Sequence, residues 1–257
     1  MTRTFRHILP KLVATAALLG GVGIALVLTR PPADEDSHSA HGHHVAELRA
    51  EGIRRQQQGD PAGALAKYRE AVRVAEEHRL KPALAANRIA IGTVHLTEER
   101  YDEAAKELVL GLAAAREVGN RIETATALTY LGQTRRLQGR TEEAMAALRD
   151  PLQVAGDVPA RTRAMAHFQV GEIHRARGDM AAALAEYQKA YTVLREMQDR
   201  PGQAAILFSI GRTQAALQDT AAAGRALAEA RDLLRQLGYT ERAADVEGEI
   251  AALNARR

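Results

Sequence analysis

Nine histidines and no cysteine limit the metal and nucleophile chemistry open to this sequence. Four of the histidines, His38, His41, His43 and His44, crowd into the stretch P-P-A-D-E-D-S-H-S-A-H-G-H-H at positions 31–44. Neutral imidazole is the usual ligand of borderline divalent ions, so zinc, copper or nickel is what such a cluster could hold. Neither rigid spacing nor outer partners that would orient the rings support a site. The stretch has no hydrophobic period and reads as a solvated, flexible linker. No metal is expected.

Other catalytic arrangements are missing. There is no H-E-x-x-H, no G-x-S-x-G, no G-x-x-x-x-G-K and no G-x-G-x-x-G leading out of a strand. Without cysteine there is no thiolate nucleophile, thiolate zinc site, disulfide framework or acylated lipoprotein anchor. Acidic pairs such as Glu98-Glu99 and Glu142-Glu143 fall at turns or in first helical turns, where the helix dipole favours them. The reading is a protein that is not an enzyme and carries no cofactor. The basic pI of about 9.3 is no sign of nucleic-acid binding. Arg3, Arg6, Lys11 and Arg30 lie in residues 1–30, which hold no acid. Of 35 basic residues that leaves 31 against 32 acidic ones for the remainder, without a basic block or aromatic platform.

Those first residues look like an export signal. Positions 12–29 carry no charge, and as a helix they would span about 27 Å, just enough for a hydrocarbon core of about 30 Å. Positive residues precede the segment and Asp34, Glu35 and Asp36 follow it, which puts the N-terminus in the cytoplasm and the rest outside. We read residues 1–30 as an uncleaved signal anchor. The alternative is a cleaved signal peptide that leaves a soluble periplasmic protein. Ala17, Gly21 and Ala25 form a row of small residues through which two such helices could pair weakly. Arginine outnumbers lysine 30 to 5 and alanine is abundant, which suggests a GC-rich bacterial genome and a periplasmic location on the inner membrane.

Stepping along the rest of the chain, one pattern recurs five times. Gly52, Gly92, Gly132, Gly171 and Gly211 are each followed twelve residues later by Ala64, Ala104, Ala144, Ala183 and Ala223. Four residues further on stand Tyr68, Leu108, Leu148, Tyr187 and Leu227. Three columns in register over five copies are an internal repeat of 40 residues, once 39. Each copy alternates helix-forming stretches with a short turn such as Gln58-Gly59-Asp60-Pro61. The helices expected are 45–58 and 61–78, 81–97 and 101–117, 120–137 and 141–150, 159–176 and 180–197, and 200–216 and 220–236. A glycine within a helix costs about 0.5–1 kcal/mol, so five in one column imply a close approach between the two helices of each pair. Pro151 should stop or kink its helix early, as a surface defect or as a bend. Residues 238–257 read as a capping helix whose apolar stripe is Ala243, Val246, Ile250 and Leu253.

At these columns residues 45–237 resemble the tetratricopeptide repeat family, whose usual period is about 34 residues. The longer copies are similar to the long-helix variant of kinesin light chains. The early aromatic of the family is replaced by Leu48, Arg88, Leu128, His167 and Leu207, and its usual tyrosine by Arg55, His95, Arg135, His174 and Gln214. The resemblance implies an all-α, right-handed solenoid of five antiparallel pairs plus the cap, behind one transmembrane helix. It also implies that the first helix of each pair lines a concave groove with residues six and three before the glycine and one and four after it. These spacings share one helical face. The row holds Arg49 and Ile53, then Ile89, Thr93 and Leu96, then Thr126, Thr129, Gln133 and Arg136. It continues with Met165, Phe168, Glu172 and Arg175, then Phe208 and Arg212. Phe168 and Phe208, with arginines nearby, suit a groove for a protein or an extended peptide, although both rings could instead be core. The expected function is that of a membrane-anchored scaffold outside the cytoplasm. The alternative is a translocon-associated, chaperone-like factor of protein export or envelope assembly.

Overall fold

The computed structural model describes residues 40–153 and 158–255, and these are α-helical throughout apart from the turns. Eleven helices run in order: α1 Ala40–Gln57, α2 Pro61–Glu77, α3 Lys81–Thr97, α4 Tyr101–Glu117, α5 Arg121–Leu137, α6 Thr141–Gln153, α7 Ala160–Ala176, α8 Met180–Glu196, α9 Arg200–Ala216, α10 Thr220–Gln236 and α11 Thr240–Asn254. Odd-numbered helices up to α9 are the first members of the pairs, and α11 is the cap. Two compact units result. One contains α1–α6 and the other α7–α11. The expected transmembrane segment, residues 12–29, lies outside the described residues.

The glycine column is where the two helices of a pair come closest. A Cβ added at Gly52 or Gly171 would sit 2.5 or 2.6 Å from the ring of Tyr68 or Tyr187. At Gly92, Gly132 and Gly211 it would meet Leu108, Leu148 and Leu227 at 2.6–2.7 Å. The glycine therefore makes room chiefly for the large side chain sixteen residues on, with the backbone of the alanine column just behind it. That alanine column is fully buried in all five copies. A third small column, Ala71, Gly111, Ala190 and Ala230, follows on the second helices, and Pro151 stands in it. Gly111 needs its size, since an added Cβ would come within 2.9 Å of Ile89.

Nine turns share one backbone solution. The residue after the helix cap is left-handed, with φ between 56° and 83°, at Gly59, Arg79, Glu99, Gly119, Gly139, Gly178, Gln198, Gln218 and Gly238. The next residue then donates its N–H to the carbonyl five positions back, as in Asp60 to Arg55 and Asp199 to Leu194, both 2.9 Å. This bond satisfies a carbonyl that the helix end would otherwise leave unpaired. The donor residue also opens the following helix. Asp60, Asn120, Asp179, Asp199 and Asp219 accept from the N–H three residues on.

Two boundaries differ from expectation. Helix α1 starts at Ala40, so the last five residues of the expected linker are helical. Its first turn is held in part by the His41 ring, stacked on His78 with centroids 3.5 Å apart. Helix α6 runs through Pro151 to Gln153 but is four residues shorter than the 17-residue α2, α4, α8 and α10. The proline ring is buried in the small column near the helix end, where few backbone bonds remain to be broken.

Replacing Gly132 by leucine is expected to lower stability by about 1–3 kcal/mol or more, because even the first added atom overlaps Leu148. Chemical denaturation measures this, and an unchanged midpoint contradicts the packing described. At the exposed turns the sign reverses. Left-handed backbone costs a residue with a Cβ about 1–2 kcal/mol, and glycine returns about 0.5–1 of that as extra freedom in the unfolded chain. Gln218→Gly should therefore raise the melting temperature slightly.

Candidate partner-binding surface

Each first helix presents its groove row because the opposite face is committed to its own second helix through the glycine. In the unit of α1–α6, Arg49 and Ile53 of α1 are buried, as are Ile89, Thr93 and Leu96 of α3 and Thr126, Thr129 and Gln133 of α5. Arg136 is half-buried. The row is less polar than its composition suggests. Thr93 donates its hydroxyl to Ala90 O at 2.7 Å, Thr126 to Ile122 O at 2.8 Å and Thr129 to Ala125 O at 2.8 Å. Threonines bonded back to their own helix turn methyl groups outward.

Arg49 and Glu123 are the charged residues buried deepest in this unit, and they act on each other. Burial pushes the Arg49 guanidinium down and the Glu123 carboxyl up, while each charge partly offsets the shift of the other. Nε and Nη2 of Arg49 and Oε2 of Glu123 have no hydrogen-bond partner. His95, also buried, is kept low by desolvation and then by Arg100.

In the unit of α7–α11 the two phenylalanines differ. Phe168 is only 8% exposed, and its ring centroid is 5.8 Å from that of Tyr187, so it extends the core of its own repeat. Phe208 is half-buried beneath the Arg212 guanidinium, 5.6 Å above the ring. Met165 is buried. Arg175 reaches Glu172 through Nε at 3.2 Å and Nη2 at 2.9 Å, and Glu172 also accepts from the Tyr187 hydroxyl at 2.5 Å. Hydrogen bonding to Glu172 raises the Arg175 pKa above its usual value, and burial raises that of Tyr187. Of the two phenylalanines in the predicted row, Phe208 under Arg212 is thus the one left half-buried, and Phe168 is buried.

Polar clips that the sequence reading passed over replace the missing aromatics. Arg88 donates to Glu107 at 2.8 Å and also bonds Glu76. Nδ1 of His167 lies 2.7 Å from Glu186. Both glutamates stand fifteen residues after the repeat glycine, and the copies with leucine in the aromatic position have Lys67, Ala147 and Ala226 there. That pairing was the available signal. Arg161 and Asp199, both nearly buried, approach to 2.7 Å at Nη1 and Oδ2. The contact is an ion pair off the hydrogen-bonding line, since Asp199 Oδ2 makes no aligned bond. It ties the start of α7 to the turn before α9.

Among the described residues no group of three His, Asp or Glu side chains converges to hold a metal, and no helix is long and apolar enough to cross a membrane. Of the linker histidines, His38 falls outside the described residues, while His41, His43 and His44 lie in α1.

A profile described as tetratricopeptide repeat matches residues 83–155 and 162–236, more than half of the chain and in register with the helix pairs. The chain belongs to the tetratricopeptide repeat family. It is 33% identical over 122 residues to the tetratricopeptide repeat protein 36 homolog of Drosophila pseudoobscura pseudoobscura, an overlap of 47% of this chain and 56% of that one. The chain therefore spans about half the length of this curated relative. Among solved structures, the fold is similar to that of the hetero-tetramer Cut9-Hcn1 of the APC/C, with a TM-score of 0.67 and 17% identity over 95% of this chain and 42% of that one. It is also similar to BtubC from P. vanneervenii, with a TM-score of 0.59 and 19% identity over 78% of this chain and 93% of that one. Both likenesses concern the tetratricopeptide fold alone.

The clip between His167 and Glu186 has a pH signature. The imidazole of His167, and after it Lys189, holds the Glu186 carboxyl at about 2, below its usual 4.5. A depressed carboxyl stabilises the fold above its unfolded pKa and loses that contribution as pH falls through the folded one. Stability is expected to drop between pH 4.5 and about 2, and His167→Ala should flatten the drop. Denaturation midpoints across that window measure it.

Proposed function

We propose that this tetratricopeptide repeat protein is a membrane-tethered adaptor, not an enzyme, that holds a protein partner against the groove face of its first helices outside the cytoplasm. The observation that carries the proposal is the half-buried Phe208 ring beneath Arg212 on the first helix α9, a large aromatic side chain left partly open on the predicted row. Family membership supports a protein or peptide as the ligand, because repeats of this kind offer an extended surface and no reaction chemistry. The tether rests on residues 12–29, uncharged and preceded by Arg3, Arg6 and Lys11.

The test uses the full chain in its native envelope. The protein should stay with the membrane fraction after a high-salt wash, and crosslinking followed by mass spectrometry should recover a protein partner. Phe208→Ala removes a half-buried ring without opening the core, so helicity should stay unchanged while partner affinity falls by about 2 kcal/mol. Arg212→Ala should weaken capture less and in a salt-dependent manner. Unchanged capture by the Phe208 variant would place the binding surface elsewhere.

A further inference from the structure

The second helices carry mostly polar residues at three positions that follow the bulky column, except in one copy. The two residues after the column are Arg69-Glu70, Arg149-Asp150, Gln188-Lys189 and Ala228-Glu229. Three positions further on stand Arg73, Gln153, Thr192 and Asp232. In α4 the same positions hold Val109, Leu110 and Ala113. All three are exposed, Val109 by 44% and Leu110 by 39%. Together with Lys106, one turn earlier, they share an arc of about 100°, the width of the apolar face of an amphipathic helix. On α4 that face looks away from the core.

The stripe borders an open hollow of about 340 Å³ between α4 and the end of α5, lined from α4 by Ala105, Lys106, Val109 and Leu110. On the α5 side its polar rim is already satisfied. Arg135 Nη1 donates to Gln138 Oε1 at 2.9 Å, and Gln138 Nε2 donates to Asp102 Oδ1 at 2.6 Å. Lys106 differs. It and Arg116, at the other end of the stripe, are exposed and have no ion-pair partner among the described residues. Glu117, next to Arg116, is taken by Lys81. Along the helix Lys106 and Arg116 are about 15 Å apart.

Two unpaired cations with apolar side chains between them select the occupant. Three such side chains fall far short of the roughly 800 Å² per partner that a stable interface between two copies buries. A single amphipathic helix laid along the stripe needs less. An anionic bilayer fits poorly, because Asp102, Glu103 and Glu117 are exposed on α4 beside the two cations and leave its surface without a basic excess. Carboxylates on a peptide can instead meet Lys106 and Arg116 one by one. We propose that α4 is a second docking surface and that its occupant is an acidic amphipathic helix of a partner protein. The apolar face of that helix lies on Val109, Leu110 and Ala113, with a carboxylate at either end against Lys106 and Arg116. The inference goes beyond the groove reading and is independent of it, since the groove row lies on first helices.

The probe is a fluorescent, alanine-based helical peptide with two leucines one turn apart and a glutamate one turn beyond each. It is titrated against the full chain, synthesised into nanodiscs of phosphatidylcholine, and binding is read by anisotropy. Val109→Arg with Leu110→Asp gives α4 the pair that α6 carries as Arg149-Asp150, so helicity should be kept while affinity falls roughly tenfold. Leu110→Glu alone repeats the test should the double variant not fold. Lys106→Ala and Arg116→Ala should each weaken binding about threefold and lessen its salt dependence. A peptide with lysines in place of the glutamates should bind roughly tenfold more weakly. Phe208→Ala should leave the affinity unchanged. Equal binding of the two peptides, or no loss in the Val109 and Leu110 variants, overturns the proposal. So does a loss in Phe208→Ala, which seats the peptide on the groove row instead. Nanodiscs of phosphatidylglycerol that abolish peptide binding overturn it as well, because they assign the α4 face to a membrane surface.

Discussion

Everything in this array depends on one contact, the large side chain of each second helix pressed into the space where a Cβ would stand on the first. The glycine that makes the space costs its helix about 0.5–1 kcal/mol. Burying a leucine-sized side chain contributes about 1.5–3 kcal/mol, so each copy keeps a net gain at that point. Tyr68, Leu108, Leu148 and Tyr187 reach complete burial this way, and Leu227 nearly so. The contact also fixes rotation. With one face of the first helix held against its partner, the residues three before and one after the glycine must point away from the pair. The candidate binding surface is therefore a by-product of the core, which is why its position repeats while its composition does not.

Much of the fold could be read in the sequence because the repeat multiplies weak local signals. One glycine in a helix says little, but five in register give a helix pair, its turn and its closest approach. The irregular parts were harder to read. The start of α1 depends on the His41 ring finding His78, 37 positions away, and no local period encodes that. Helix α6 passes Pro151 because the small column tolerates the ring, which only the packing reveals. On the candidate surface, the period does not give the depth of a side chain. Phe168 and Phe208 hold equivalent positions, yet Phe168 lies against Tyr187 and Phe208 beneath Arg212, since neighbouring side chains decide burial. Arg49 and Glu123 come from different repeats, and no spacing rule pairs them.

Polar groups do quite different work in the two units. Glu172 gathers Arg175 and Tyr187 into one bonded set, and Asp199 both caps α9 and holds Arg161. Arg49 and Glu123 instead keep unpaired atoms out of water, a state that buried charge tolerates poorly. Here the cost is limited because each sits in the field of the other, which offsets part of the shift that burial imposes on it.

The turns have a consequence for how such a chain could have grown. Nine of them close with the same left-handed residue and the same backbone bond, whether that residue is glycine, arginine, glutamate or glutamine. Because main-chain atoms supply the closure, any two turns of the same kind are interchangeable joints. A gene segment encoding one period, copied in tandem between two such joints, would add a helix pair whose ends already fit their neighbours. No junction would need repair before selection could act on the longer protein. Side chains could then drift freely at the joints and more slowly on the groove face, while the glycine and its large partner stayed locked together.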